Sequence, residues 1–274
     1  MRNALTVDVE DYFQVQAFAG QIGESDWDSL EHRVERNTNK VMDVFAEHDV
    51  KATFFTLGWV AERYPALLRR MADEGHEIAS HGFRHRRVGE MTPEQFRDDT
   101  RRTKALLEDV SGAAVNGYRA ASFSIDAHTL WAHDVLAEEG HTYSSSIYPI
   151  AHDIYGMPGG ARFSYRAGSG IMEVPVSTVT LAGKRLPCGG GGYFRLLPYA
   201  FYRWAWRRVN RDDGQPAMLY FHPWEIDPGQ PRQHAAPLKS KLRHYSRLSA
   251  MEDKIRRALR EFQWDRMDRV FLES

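Results

Sequence analysis

The chain has 274 residues, 42% of them hydrophobic and 12% aromatic, enough for one large core or two small ones. Its 36 Lys and Arg against 37 Asp and Glu leave a net charge of −1, which gives no bulk attraction to nucleic acid or to an anionic membrane. One cysteine, Cys188, excludes an intrachain disulfide and a four-cysteine metal site, so with 12 histidines and thiolates nearly absent any metal centre is expected to be built from imidazole and carboxylate.

Short β-rich runs alternate with helical patterns along the sequence. Residues 5–9 form the first run and end among Asp8, Glu10 and Asp11. Residues 39–47 read as a helix with Val41, Val44 and Phe45 inward, residues 52–57 as the second run and residues 60–74 as the next helix. Residues 77–80 are the third run, ending at His81. Thr92 and Pro93 read as the N-cap and first position of a helix continuing through Leu107. Residues 115–119 are the fourth run. Asp126 is expected to cap a helix that runs to Glu139 and stops at Gly140. Residues 141–145, 171–176 and 217–221 complete the set. Alternation of this kind predicts a parallel α/β arrangement. Polar residues gather after the carboxyl ends of many runs rather than two, which favours a barrel over an open sheet.

The glycine-rich residues 188–192 lack the Gly-Lys-Ser/Thr ending of a phosphate loop, so they read as a tight turn or a close backbone approach. Residues 250–264 carry Met251, Ile255, Ala258, Leu259 and Phe262 at helical spacing, which predicts an amphipathic packing helix. No apolar run of about 7–15 residues opens the sequence, and no stretch approaches the roughly 20 apolar residues of a membrane span. The expectation is a cytoplasmic protein with no integral membrane segment.

Four constellations carry chemistry. In Asp8-Val9-Glu10-Asp11 three carboxylates crowd the end of an apolar strand, which is costly unless a cation or hydrogen bonds offset them. In His81-Gly82-Phe83-Arg84-His85 two histidines stand four apart, a spacing that brings them together on one helical face. With a carboxylate from another strand end they form a two-His, one-carboxylate site that leaves room for water and substrate. Arg119, ending the fourth run, is placed to hold a carboxylate ionised. His222, leaving the apolar Leu219-Tyr220-Phe221 for a loop fixed by Pro223, reads as a general acid.

In order and spacing these four groups resemble the motifs of the polysaccharide deacetylase (NodB-homology) family, over roughly residues 4–225. The resemblance implies a distorted seven-stranded (β/α) barrel, with a barrel domain over residues 1–230 and a helical extension over residues 231–274. It implies removal of N-acetyl groups from amino sugars with a divalent metal, usually zinc. Asp8 would be the base, Glu10 or Asp11 with His81 and His85 the metal ligands, Arg119 the group that positions Asp8, and His222 the acid. Tyr12, Phe123, Tyr148, Tyr193 and Trp224 are candidates to stack on sugar faces, and an amide near Tyr143 and Ser145 is a candidate oxyanion donor. A finer similarity, in Val7-Asp8-Val9-Glu10-Asp11-Tyr12-Phe13, Tyr143-Ser144-Ser145-Ser146 and His152-Asp153-Ile154-Tyr155-Gly156, is to a subgroup found with exopolysaccharide clusters. The implied partner is an amino-sugar polysaccharide or a lipid-linked oligosaccharide, with no role for nucleic acid. Ala121 stands where the family has proline and Ser144 where the subgroup has an acid, which leaves the support of His222 open; Glu173 is a candidate substitute or a structural carboxylate. Two other readings are a cyclic amide or ureide hydrolase on the same barrel and a non-catalytic carbohydrate-binding protein.

Overall fold

The computed structural model describes residues 1–273. In chain order the elements are β1 (Arg2–Val9), α1 (Val34–Glu47), β2 (Thr53–Thr56), α2 (Gly58–Arg63), α3 (Pro65–Asp73), β3 (Glu77–Ser80), α4 (Pro93–Ser111), β4 (Gly117–Tyr118), α5 (Ala132–Glu138) and β5 (Tyr143–Ser144). There follow β6 (Tyr165–Arg166), β7 (Met172–Glu173), β8 (Thr178–Leu181), β9 (Lys184–Pro187), α6 (Gly191–Leu196), α7 (Tyr199–Arg211), β10 (Met218–Phe221), α8 (Leu238–Tyr245), α9 (Met251–Glu261), β11 (Gln263–Asp265) and α10 (Met267–Phe271).

The main sheet runs β10-β1-β2-β3-β4-β5-β7-β6. Every pair from β10 to β7 is parallel, and only β6 at the edge is antiparallel. The seven parallel strands are the seven runs read from the sequence. The sheet curls into a barrel that is not closed by a ladder: among the described residues β7 and β10 are joined by no strand pairing. The segment after β7 fills the seam, with Ser177 Oγ accepting from Met218 N and Gly189 O accepting from Tyr220 N.

Alternation along each strand sorts side chains between two layers. Leu5, Val7 and Val9 of β1 and Phe54 of β2 pack outward with the helices in the larger core. Ala4, Phe55, Ala79, Tyr143 and Met218 form a smaller apolar cluster on the opposite faces of the same strands. Thr6 and Asp8 share the face of Ala4, so the strand that builds the core also delivers a carboxylate into the barrel.

Several helices differ from the sequence reading, and proline explains two of the differences. The pattern over residues 60–74 is two helices, because Pro65 cannot continue α2 and starts α3 instead. Pro198 likewise separates α6 from α7. The first helix begins at Val34, earlier than expected, and the helix expected from Asp126 is confined to residues 132–138. Thr92 does cap α4, with Gln95 bonding back in a capping box, and α4 runs past Leu107 to Ser111. Beyond residue 231 the chain is helical, but it also gives β11, which pairs with Arg2–Ala4 of β1, so Trp264 lies in a strand.

The glycine-rich segment turns tightly against a strand. A Cβ on Gly190 (φ 137°) would lie 1.9 Å from Tyr220 O, and Gly190 bridges to Tyr220 in parallel.

Candidate metal centre and active-site cavity

A cavity of about 300 Å³ opens at the carboxyl ends of the strands. Asp8, Glu10, His81, His85 and His222 all line it. Glu10, His81 and His85 each present one ligand atom, and those atoms lie within 4.8 Å of one another.

Each side chain reaches the cavity by a local rule. Glu10 leaves β1 two residues after Asp8. His81 follows β3, and its Nδ1 lies 2.8 Å from Arg119 O. A carbonyl only accepts, so Nδ1 carries the proton and Nε2 keeps its lone pair for the cavity. His85 is not on a helix with His81, as the spacing suggested; the two sit in a loop. Gly82 (φ 74°) and His85 (φ 54°) both adopt left-handed backbone, and this fold-back brings the two rings to 5.2 Å between centroids.

These groups fit a divalent cation. Glu10 is fully enclosed, and burial alone would raise its pKa, yet His85 and His222 outweigh that and hold the carboxyl well below the usual range. His85 Nε2 approaches Glu10 Oε2 to 2.9 Å, while Oε2 has no hydrogen-bond partner. The approach is therefore not an N–H bond. It is a buried carboxylate oxygen left without a hydrogen bond beside the His85 ring, which a cation satisfies. Burial also holds His81 down at about 4, so it is neutral and able to ligate at neutral pH. Two imidazoles and one carboxylate are a donor set that suits zinc and leaves coordination positions open.

Two further groups flank this cluster. Arg119 is wholly buried inside the barrel. Its Nη1 donates to Asp8 Oδ1 (2.6 Å) and Thr6 Oγ1 (2.9 Å), its Nη2 and Nε donate to Ser145, and its guanidinium lies 3.9 Å over the Phe55 ring. Asp8 is thus fixed by one oxygen, and its Oδ2 faces His222 Nε2 at 3.9 Å. His222 stands on the other wall, its Nε2 3.5 Å from Glu10 Oε1. Its Nδ1 lies 2.7 Å from Glu225 Oε1. Burial opposes charge on His222, but Glu10 and Glu225 outweigh it and lift the imidazole to about 9.

Glu225 answers what supports His222. It is fully buried and takes the Nε of Arg195 on its second oxygen at 2.5 Å. Arg195 in turn donates to the backbone carbonyls of Arg243, His244 and Ser246. Trp224 lies between the rings of His222 and His244, nearly parallel to both, and its Nε1 donates to Glu10 Oε1 at 3.2 Å. The sequence carried a signal for Glu225: Pro at the first position and Glu at the third after His222 is a capping pattern, and Glu225 does bond back to His222 N. Neither Ser144 nor Glu173 takes part. Glu173 accepts from Ser146 N and Ile147 N and pairs with His133, a structural role.

With this geometry in view, residues 26–143 match the family described as polysaccharide deacetylase, and residues 145–272 match a domain of unknown function, DUF3473. Stretches of the chain are similar to a peptidoglycan-N-acetylglucosamine deacetylase of Bacillus cereus, 36% identical over 77 residues, which are 28% of this chain and 28% of that protein. A chitooligosaccharide deacetylase of Bradyrhizobium sp. is 33% identical over 100 residues, 36% of this chain and 43% of that protein. The aligned stretches span less than half of either relative. Among solved structures, a Mycobacterium smegmatis protein classed with the polysaccharide deacetylases superposes with TM-score 0.61 at 21% identity, covering 96% of this chain and 85% of that one. Puue allantoinase superposes with TM-score 0.58 at 16% identity, covering 97% and 87%. These likenesses show the NodB-like α/β barrel fold.

The deacetylase match holds His81, His85 and Arg119, whereas His222, Glu225 and Arg195 fall in the second match and Asp8 and Glu10 precede both. The cavity therefore draws on both matched regions.

Not every expected site residue reaches it. Asp11, the alternative ligand, turns away: its Oδ2 accepts from Arg33 N and Val34 N at the start of α1, so it serves that helix end. Tyr12 is buried in the core against Phe13 and does not line the cavity. Tyr148 is also wholly buried, stacked behind Tyr155. Phe123, Tyr193 and Trp224 do line the cavity. His152 and Tyr155, from the segment also singled out in the sequence, line it as a stacked pair 4.0 Å apart, and His244 joins them unanticipated. The amides around Tyr143 and Ser145 are committed to the sheet and lie away from the cavity, so they offer no oxyanion donor. Ser122, with left-handed backbone (φ 52°), lines the cavity instead. Among the described residues no helix is long and apolar enough to cross a membrane.

Proposed function

We propose that the protein is a metal-dependent N-deacetylase of amino sugars in a polysaccharide or its lipid-linked precursor, with a role in exopolysaccharide synthesis in the cytoplasm. The convergence of Glu10, His81 and His85 in one cavity with a fixed aspartate and a supported histidine carries the reading. Glu10, His81 and His85 hold the ion, most simply zinc, which when bound supplies a Lewis acid for the amide carbonyl and lowers the pKa of water.

The remaining work falls to the chain's own groups. Asp8 Oδ2 takes a proton from the attacking water, and Arg119 keeps that carboxylate oriented. The new C–O bond forms at the acetyl carbon. As the C–N bond breaks, His222 Nε2 gives its proton to the departing nitrogen while Glu225 stabilises the imidazolium. Acetate and a free amino sugar leave. Phe123 and Tyr193 form apolar walls on which a sugar face stacks, while Trp224, covered on both faces by His222 and His244, holds its place in the wall.

The test is acetate release from N-acetylglucosamine oligomers by protein stripped with chelator and then reloaded with zinc. Activity lost on stripping and restored by metal is the expected result. Equal turnover in both states, or opening of a cyclic ureide with no acetate released, refutes the reading.

A further inference from the structure

A second cavity of about 290 Å³ adjoins the first and shares Gln16, Ala17, Ile154 and Arg243 with its lining. Its other groups give it a sign. Arg87, Lys239 and Arg243 supply three cations, and Asp153 is its one carboxylate. Lys239 Nζ donates to Asp153 at 2.6 Å and Arg243 Nη2 at 3.1 Å, so this carboxylate gathers two cations on one wall. Arg87 spends Nη2 on Ile154 O, next to Asp153 in the chain, and keeps a buried Nε with no partner. The helix α8 that contributes Lys239 and Arg243 has the sequence LKSKLRHY and carries no acid. Two positive charges therefore remain in excess beside the first cavity. Asp153 and Lys239 are largely exposed, and ion pairs in water are worth about 0–1 kcal/mol, so the arrangement readily admits a second anion.

We propose that this is a substrate subsite for an oxyanion, a carboxylate or a phosphate, carried by the unit next to the sugar being deacetylated. Arg243, bordering both cavities, links the two. The inference rests on the deacetylase reading and narrows its substrate class to anionic amino-sugar chains. Cations of this kind act on an anion through charge-assisted bonds and through steering, and both fade with salt.

The experiment uses the zinc-loaded full chain and three length-matched N-acetylglucosamine oligosaccharides: neutral, with an adjoining uronate, and with a phosphate ester. Wild-type protein is expected to favour an anionic substrate through a lower KM, with the preference shrinking as salt rises. In Lys239→Glu, a change at an exposed position, the ratio of anionic to neutral kcat/KM is expected to fall about tenfold. Preference for the uronate alone identifies a carboxylate, and preference for the ester alone a phosphate. No preference in the wild type, or one unaltered in both Lys239→Glu and Arg87→Gln, overturns the subsite. If no substrate releases acetate, the deacetylase reading fails by itself, and the subsite is judged by the same preference in calorimetric affinity.

Discussion

Glu225→Gln is the most informative single change. It keeps the shape of a side chain that is fully buried between His222 Nδ1 at 2.7 Å and Arg195 Nε at 2.5 Å, and removes its charge. Both bonds lose their anionic acceptor, and the single amide oxygen can accept from only one of the two sides. The amide can also turn its NH2 toward Nδ1, which makes Nδ1 an acceptor, disfavours the imidazolium and leaves on Nε2 only the proton of a neutral ring, a far weaker acid. A positioned general acid contributes about 10²–10⁴ in rate, so losing its support without losing the ring is expected to lower kcat about 10²-fold, or about 2.7 kcal/mol, with KM little changed. The assay is steady-state acetate release with metal content measured in parallel, for Glu225→Gln, His222→Ala and the double variant. If Glu225 acts through His222, the double variant is no slower than His222→Ala alone. Full activity in Glu225→Gln, or losses that multiply in the double variant, refutes the argument.

Other consequences concern stability and pH. Arg119→Ala leaves Asp8 buried without its partner and is expected to cost about 3–5 kcal/mol in denaturant unfolding, with activity lost even where the fold persists. Gly190→Ala places a Cβ 1.9 Å from the Tyr220 carbonyl on a backbone at φ 137°, so a marked fall in Tm is expected, whereas Gly168→Ala, with open space around it, serves as control. Burial holds His76 down at about 3 in the folded state, against 6.5 unfolded. The unfolded chain therefore binds the extra proton, and the stability His76 lends above pH 6.5 is lost as pH falls toward 3. In His76→Gln that part of the slope in unfolding free energy against pH is expected to flatten; an unchanged slope removes His76 from the account.

The sequence carried most of the fold because its strands are short, apolar and bounded by polar residues, and period-two alternation is a strong signal. Asp8, His81, Arg119 and His222 were legible for the same reason: each is a polar residue where an apolar run stops. What escaped depends on contacts distant in sequence. Nothing local separates Glu10 from Asp11; the choice is made by the start of α1, whose amides claim Asp11. The spacing of His81 and His85 was informative but its cause was not helical. Aromatic residues gave the weakest signal, since Tyr12 and Tyr148 are as apolar as Phe123 and only packing decides which of them meets the cavity. Arg195, inside a helical pattern, looks in sequence like any surface arginine.

The pairing of β1 has a bearing on how the protein comes into being. The strand that carries Asp8 is made first, yet it is flanked by β10 and by β11, with Asn3 bonding to Ala217 at a separation of 214 residues. Until those distant segments emerge, β1 has an unfilled edge, and contacts of such range are slow to form. Asp8 and Glu10 can meet His222 only after β10 has been made and paired with β1. A chain halted before β10 would lack His222 and Glu225 altogether. Competence then waits for that strand.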